Sequence, residues 1–224
     1  MLARRIKRLF YQFSLGDQNF RFMFDSPPDD DVIVFDCETT GLDVAHDDIV
    51  TIAAVKIRGN RILASEKFEV IARPDAKMSA EAIKVHRLRE ADVEGGKLIF
   101  KVLPDFLHFV GGRPLVGYYL EFDVAMVDKY LLQLKGIGLP NPMVEVSQMY
   151  YERKYGDAPP GTVIDLSFKA ILADLGIPPL DQHDALNDAM MTAMIYVTLK
   201  DMKERGVRIP RLREDARGVH GFGA

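Results

Sequence analysis

From residue 31 onward, three strand-like segments precede any helical pattern, and this order restricts the fold more than any other feature of the sequence. Residues 32–35 form a short, apolar, β-branched run that is typical of a buried strand. Residues 49–57 and 62–71 are rich in Val, Ile and Thr or alternate in hydrophobicity, and Gly59-Asn60 between them predicts a hairpin turn. A sheet that starts as an antiparallel meander is not wholly parallel.

The rest of the chain alternates helical and strand-like patterns. Helical patterns occupy residues 79–85, 100–110, 122–134, 166–175 and 185–204, and strand-like patterns occupy residues 115–118 and 144–149. This order predicts an α/β protein with a mixed five-stranded sheet that is flanked by helices on both faces. Neither the glycine-rich dinucleotide fingerprint nor the P-loop motif is present in the sequence, which excludes those two nucleotide-binding classes.

Composition narrows the class of protein further. One cysteine in 224 residues excludes an internal disulfide framework and a multi-cysteine zinc site. No apolar run is long enough for a signal peptide or a membrane span, so we expect a cytoplasmic protein. The net charge of −4 is not typical of proteins that bind nucleic acid through a basic surface. However, residues 1–30 carry +1 and residues 200–224 carry +3, which leaves −8 on residues 31–199.

The sequence suggests a main domain with two appendages. A Pro- and Asp-rich break ends an N-terminal extension at residues 1–30; the main domain spans 31–204, and a basic tail covers 205–224. The extension has the pattern of a basic amphipathic helix. Its apolar members are Leu2, Ile6, Leu9, Phe10 and Phe13, and its basic members are Arg4, Arg5, Lys7 and Arg8. The apolar stripe is expected to pack on the main domain; docking on a partner or a membrane surface is the alternative.

Carboxylates follow the apolar strand directly. Asp36 and Glu38 are two residues apart, so they lie on the same face of the strand. Buried like charges require a cation or a shared proton, and clustered carboxylate oxygens suit Mg²⁺ or Mn²⁺. Asp123 opens a helix after the fourth strand-like segment, and His183 and Asp188 lie at the start of the last helix. Taken alone, Asp123 also fits a helix-start acid that the helix dipole favours, and His183 also fits a structural or solvated residue.

Together, these segments resemble the DEDD superfamily of 3′–5′ exonucleases, in the histidine-bearing subgroup that includes proofreading subunits of bacterial replicative polymerases. Residues 35–43 have nearly the full form of the first family motif, Phe122-Asp123 matches the second, and His183 with Asp188 matches the third. The resemblance implies a ribonuclease H-like fold. It also implies metal-dependent removal of nucleoside 5′-monophosphates from the 3′ ends of single-stranded nucleic acid, with DNA favoured.

The resemblance also implies a set of site residues. Asp36, Glu38, Asp123 and Asp188 would bind two divalent ions, Mg²⁺ or Mn²⁺, and His183 would be the general base. The residues expected to contact substrate are Thr39, Thr40, Gly41, Leu42, His86, Tyr119 and Phe122. The family often has His-Asn where this chain has Tyr118 and Tyr119, so the two phenols either stack on a nucleotide or belong to the core.

Three questions stay open in the sequence. An RNA-processing exoribonuclease would use the same chemistry, because only contacts to the 2′-hydroxyl separate the two substrates. A non-catalytic nucleic-acid-binding or polymerase-accessory module could keep the same fold. Association with a DNA polymerase or a sliding clamp is the third question: the resembled subgroup includes polymerase subunits, and residues 12–16 partly match a sliding-clamp-binding pentapeptide.

Overall fold

A six-stranded mixed sheet forms the centre of the computed structural model, which describes residues 2–27, 30–181 and 183–211. The strands are β1 (Val32–Thr39), β2 (Ile49–Arg58), β3 (Arg61–Arg73), β4 (Lys97–Leu98), β5 (Leu115–Gly117) and β6 (Met143–Glu145). Their order in the sheet is β4-β3-β2-β1-β5-β6. The β1–β2 and β2–β3 pairs are antiparallel, whereas β5 pairs in parallel with both β1 and β6. The predicted meander and mixed sheet are therefore confirmed.

Helices cover the sheet. They are α1 (Leu2–Ser14), α2 (Ala80–His86), α3 (Glu90–Val93), α4 (Ile99–Val110), α5 (Leu120–Lys135), α6 (Val146–Lys154), α7 (Phe168–Asp174) and α8 (Ala185–Glu204), with a 3-10 helix at Gln18–Phe24. Polar side chains cap several of them: Ser79 before α2, Ser167 before α7 and Asp184 before α8 each accept a hydrogen bond from a backbone N–H of the first turn.

The alternation of β1 divides the core into two layers. Ile33, Phe35 and Cys37 pack in a cluster with α4 and α5, whereas Val32 and Val34 pack in a second cluster with α6, α7 and α8. Because side chains two residues apart share a face of a strand, Asp36 and Glu38 continue the row of Val32 and Val34. The two carboxylates are thus presented to the face that α8 covers.

Two strand predictions are wrong. The predicted five-stranded sheet has a sixth strand, β4, whose two exposed residues pair in parallel with Ala72 and Arg73. A strand this short has no periodicity that a sequence pattern could show. The predicted strand at 144–149 ends at Glu145, because the Glu145 side chain accepts a hydrogen bond from Ser147 N and caps α6. The cap outweighs the β-branched start of this segment.

The predicted extension and tail contact the main domain. Leu15, Phe20 and Met23 are buried in the cluster of α4 and α5, and Ile209 is buried in the cluster of α6 to α8. The division at residues 30 and 204 stays a prediction, and residues 212–224 of the predicted tail lie outside the described residues. Among the helices described, each is too short or too polar to cross a lipid bilayer.

The expectation that α1 packs its apolar stripe on the main domain is wrong. Ile6, Leu9, Phe10 and Phe13 are all exposed, although each is a large apolar residue. The helix itself forms where the apolar periodicity predicts it. The sequence thus indicates the helix correctly but not the face that contacts the domain.

Candidate active site

Three carboxylates converge at the carboxyl end of β1. Asp36 and Glu38 come from the strand and Asp188 from the first turns of α8; one carboxylate oxygen of each lies within 4.8 Å of the others. The Asp184 cap fixes where α8 begins, since its side chain accepts a hydrogen bond from Asn187 N. This start places Asp188 over the face of β1 that carries the two strand carboxylates. Three of the four predicted metal ligands are thus brought together.

Asp123 reaches the same strand end from the other layer. It lies in the first turn of α5, is 5% exposed, and accepts a hydrogen bond of 3.1 Å from Cys37 N. Cys37 stands between Asp36 and Glu38, so Asp123 lies beside the cluster, although it is not within the group of three. The bond also fixes the start of α5 against the end of β1.

The carboxylates of Asp36, Glu38, Asp123 and Asp188 are buried or partly buried and repel one another when ionised. Burial raises the pKa of Asp36 well above its ordinary value, and the charges of Asp123, Glu38 and Asp188 raise it further. Burial, together with Asp188 and Asp184, raises the pKa of Glu38 to about 7. Burial also raises the pKa values of Asp123 and Asp188, although backbone N–H donors oppose both shifts.

No ion pair joins these four carboxylates to a Lys or Arg of the described residues, although a lysine, Lys169, borders a cavity that Asp36 and Asp188 also line. Hard oxygen donors that repel one another in a partly buried site are the donor set that a divalent cation prefers. The residues present therefore fit a divalent metal.

His183 borders the acidic cluster. It is exposed, has a positive φ of 67°, and its backbone N–H donates to Asp188 Oδ2 at 3.0 Å. It lines a cavity of about 280 Å³ with Asp36 and Asp188. A second cavity of about 250 Å³ lies between His183, Glu38 and His86. His183 thus stands between two spaces that open on the carboxylates.

His86 is a buried neighbour of this site. Its Nδ1 accepts a hydrogen bond from Leu88 N at 3.1 Å. Burial lowers the pKa of His86, and the nearby His183 lowers it further. We therefore expect a neutral imidazole at His86 at neutral pH.

The loop after β1 is held from beneath. Thr40 is fully buried: its Oγ1 donates to Asp47 Oδ1 at 2.8 Å and accepts from Asp48 N at 3.0 Å. Thr39 is also buried, and its Oγ1 donates to the Gly41 carbonyl at 2.7 Å. The two threonine side chains thus support the loop, whereas Leu42 is 85% exposed.

Aromatic side chains continue the surface beyond Leu42. A groove of about 1010 Å³ is bordered by Leu42, Tyr119 and Phe122. Tyr119 is 64% exposed and has a left-handed backbone with φ 54°. Tyr118 is held from within, because its hydroxyl donates to the Leu166 carbonyl at 3.1 Å and its ring lies 4.9 Å from that of Phe168. Tyr118 is therefore half-buried and borders the cavity of Asp36 and His183, whereas Tyr119 is exposed at the groove.

Sequence reasoning missed the contribution of α7. Phe168 and Lys169, at its start, line the same cavity as Asp36 and His183. The Ser167 cap predicts a helix start here, but no motif marks the segment as part of a site. Only the tertiary structure brings a lysine to this cavity.

The sequence of this chain is similar to those of known exonucleases and DNA polymerase subunits. The RNase_T exonuclease family matches residues 33–196, and the chain belongs to this family. It is 32% identical over 177 residues to DNA polymerase III subunit epsilon of Aquifex aeolicus, over 79% of this chain and 84% of that protein. It is 28% identical to the PolC-type DNA polymerase III of Bacillus subtilis, but spans only 12% of that protein.

Solved structures show the same fold. Exonuclease X in complex with 5′ overhanging duplex DNA aligns with a TM-score of 0.59 and 25% identity, over 82% of this chain and 98% of that one. Exonuclease I aligns with a TM-score of 0.64 at 17% identity, over 78% of this chain and 42% of that one. The resemblance to DEDD exonucleases and the ribonuclease H-like fold are confirmed, and the chain carries an exonuclease domain.

Proposed function

We propose that the protein is a metal-dependent 3′–5′ exonuclease that removes nucleoside 5′-monophosphates from single-stranded DNA. The convergence of Asp36, Glu38 and Asp188 beside Asp123 and His183 is the observation that carries this proposal. The names of the relatives, which include subunits of DNA polymerase III, support DNA as the substrate, a cytoplasmic location and a polymerase as a partner.

The four acids are the proposed ligands of two divalent ions, Mg²⁺ or Mn²⁺. Asp36 is the central member, since the charges of Asp123, Glu38 and Asp188 all act on it. When bound, such ions supply Lewis-acid stabilisation of the charge that develops at the phosphate and at the attacking and leaving oxygens. The carboxylate oxygens of Asp36, Glu38 and Asp188 have fixed positions, because the rigid elements β1 and α8 carry them.

His183 is the proposed general base. Its imidazole would accept a proton from the water that attacks the last internucleotide phosphate. The bond from phosphorus to the 3′ oxygen of the preceding nucleotide would break, and that oxygen would take up a proton from solvent. Its exposed position beside Asp36 and Asp188 supports this role. The hydrogen bond from its backbone to Asp188 ties the base to a proposed ligand.

The substrate surface is proposed on both sides of Leu42. On one side, a cavity of about 390 Å³ borders Gly41, His86 and Phe122; on the other lies the large groove with Tyr119. Exposed aromatic rings stack on bases without sequence preference, which suits an enzyme that removes any terminal nucleotide. Thr39 and Thr40 contribute through the backbone that their side chains support.

A sliding clamp is the less favoured partner. Its partial motif at residues 12–16 includes Leu15, which is buried in the core cluster and is not presented to a partner. The polymerase proposal does not depend on this motif.

The decisive experiment measures how far a DNA oligonucleotide is shortened from its 3′ end. The protein is incubated with 5′-labelled single-stranded DNA and Mg²⁺ or Mn²⁺, with EDTA as the metal-free control. We expect stepwise shortening that EDTA abolishes. Asp188→Asn should lower kcat at least about a hundredfold, because a ligand is weakened while the fold is kept. The matched control is Asp201→Asn on the same helix, which should keep full activity, since Asp201 lies more than three turns from Asp188 and pairs with the exposed Arg205.

Three results would redirect the proposal. Binding of DNA without shortening would indicate a non-catalytic module. Faster degradation of an RNA oligonucleotide of the same sequence would indicate an exoribonuclease. An Asp188→Asn variant with a normal rate would exclude the proposed metal ligands.

A further inference from the structure

We propose that α1 binds the surface of an anionic lipid membrane and holds the nuclease domain there. The apolar stripe of α1 is the starting observation. Ile6, Leu9, Phe10 and Phe13 are 58%, 56%, 64% and 89% exposed. At 3.6 residues per turn these four positions fall within an arc of about 100°, so they form one continuous apolar face.

The helix turns the side that carries Arg8 and Tyr11 toward the protein. Arg8 donates to the Phe24 carbonyl at 2.7 Å and to the Pro140 carbonyl at 3.3 Å, and its guanidinium lies over the Phe24 ring. Tyr11 packs against the core cluster on the same side. An amphipathic helix of a soluble domain normally buries its apolar face, so this orientation leaves a surface that an apolar partner would cover.

Charge selects the partner. The helix contains no acidic residue, and besides Arg8, which the domain binds, its sequence has three further basic residues: Arg4, Arg5 and Lys7. A basic helix with Leu and Phe on its other face is typical of segments that lie in the interface of a bilayer with anionic headgroups. A second copy of the chain fits less well, because two such helices would bring their positive charges together with no acid between them.

The position of α1 keeps the active site free. Its end is fixed to the end of α5, since Gly16 N donates to the Lys135 carbonyl and Asp17 pairs with the Lys135 ammonium at 2.6 Å. Asp123 lies in the first turn of α5, 12 residues before Lys135 and therefore about 18 Å from it along the helix axis. A membrane on α1 would thus contact the end of the domain opposite the carboxylate cluster.

The test is sedimentation of the full chain with lipid vesicles. Vesicles of phosphatidylcholine alone are compared with vesicles that contain about one-third phosphatidylglycerol. We expect binding to the anionic vesicles only, with loss at high salt. The double variant Phe10→Ser/Phe13→Ser should weaken the partition at least about tenfold, since two large apolar side chains are removed. The matched control is Val163→Ser, which alters a residue that is 59% exposed elsewhere and should bind as the wild type.

Cooperative thermal unfolding of the double variant, at a melting temperature close to that of the wild type, shows that the fold is intact. Failure of the wild type to bind anionic vesicles would overturn the proposal, and so would equal binding by the double variant. A wild-type dimer that the double variant converts to a monomer, without lipid binding, would assign the face to a second copy instead. The proposed nuclease activity is measured separately and does not depend on this result.

Discussion

At the scale of single residues, Gly41 shows how closely the loop after β1 is packed. A Cβ on this residue would lie 2.5 Å from Asp47 Oδ2, which is closer than any real contact. Asp47 is also the acceptor for Thr40 Oγ1 and for Asp43 N. The glycine is therefore required because the carboxylate that organises the loop passes directly over it.

Gly41→Ala should raise KM for a single-stranded oligonucleotide several-fold, with a smaller effect on kcat. The added methyl group displaces the Asp47 side chain and shifts the exposed Leu42. It does not contact the proposed metal ligands Asp36, Glu38 and Asp188. Steady-state kinetics would measure the two constants. Gly95→Ala is the matched control, because nothing lies within 4 Å of its Cβ position, and it should leave both constants unchanged. Unchanged kinetics in Gly41→Ala would contradict a role of this loop in substrate binding.

At the scale of elements, the junction of β5 and α5 carries backbone strain. Tyr119 precedes α5 with φ 54° and ψ 35°, a left-handed conformation that costs a residue with a Cβ roughly 1–2 kcal/mol. Asn adopts this conformation more readily than Tyr. A strained residue with an exposed aromatic ring beside the site suggests that the ring has a function.

Tyr119→Asn should therefore raise stability by about 1 kcal/mol and also raise KM, because strain and a stacking surface are removed together. Thermal unfolding and steady-state kinetics would separate the two effects. Tyr119→Phe keeps both the ring and the strain and removes only the hydroxyl beside Tyr118, so its KM should match that of the wild type and its melting temperature should not rise. A Tyr119→Asn variant with unchanged KM would leave Tyr119 as a strained residue without a substrate contact.

Elements also differ in how far the sequence determines them. Strands β1 to β3 were predictable because apolar runs and a Gly-Asn turn encode them within a few residues. The start of α6 was not, because the Glu145 cap had to prevail over a β-branched sequence. Strand β4 exists only through its pairing with Ala72 and Arg73 in β3.

At the scale of the whole molecule, the uncompensated carboxylates oppose folding at neutral pH. The pKa of Glu38 is about 7 in the folded protein and 4.5 ordinarily, so the folded state binds more protons between these values. Stability therefore falls as the pH rises through this window. Asp36, Asp123 and Asp188 shift in the same direction.

Without divalent metal, the melting temperature should be higher at about pH 5.5 than at about pH 8. Added Mg²⁺ should raise it at the higher pH, since a cation that binds the ionised carboxylates stabilises the folded state. Calorimetry in EDTA and in Mg²⁺ would measure both effects. Glu38→Gln should reduce the pH dependence, whereas Glu94→Gln, at an exposed position, should not. A melting temperature that rises with pH in EDTA would contradict the charge repulsion.

The sequence by itself determined the local features of this protein. A buried strand that ends in Asp36 and Glu38, the meander and the amphipathic pattern of α1 are all encoded over a few neighbouring residues, where periodicity and turn chemistry act. The family motifs also grouped Asp188 with Asp36 and Glu38, and the structure brings these three carboxylates together. Only the tertiary structure decided that Lys169 borders the site and that α1 turns its apolar face outward. These relations join residues far apart in the chain, so they depend on how whole elements pack rather than on local preference.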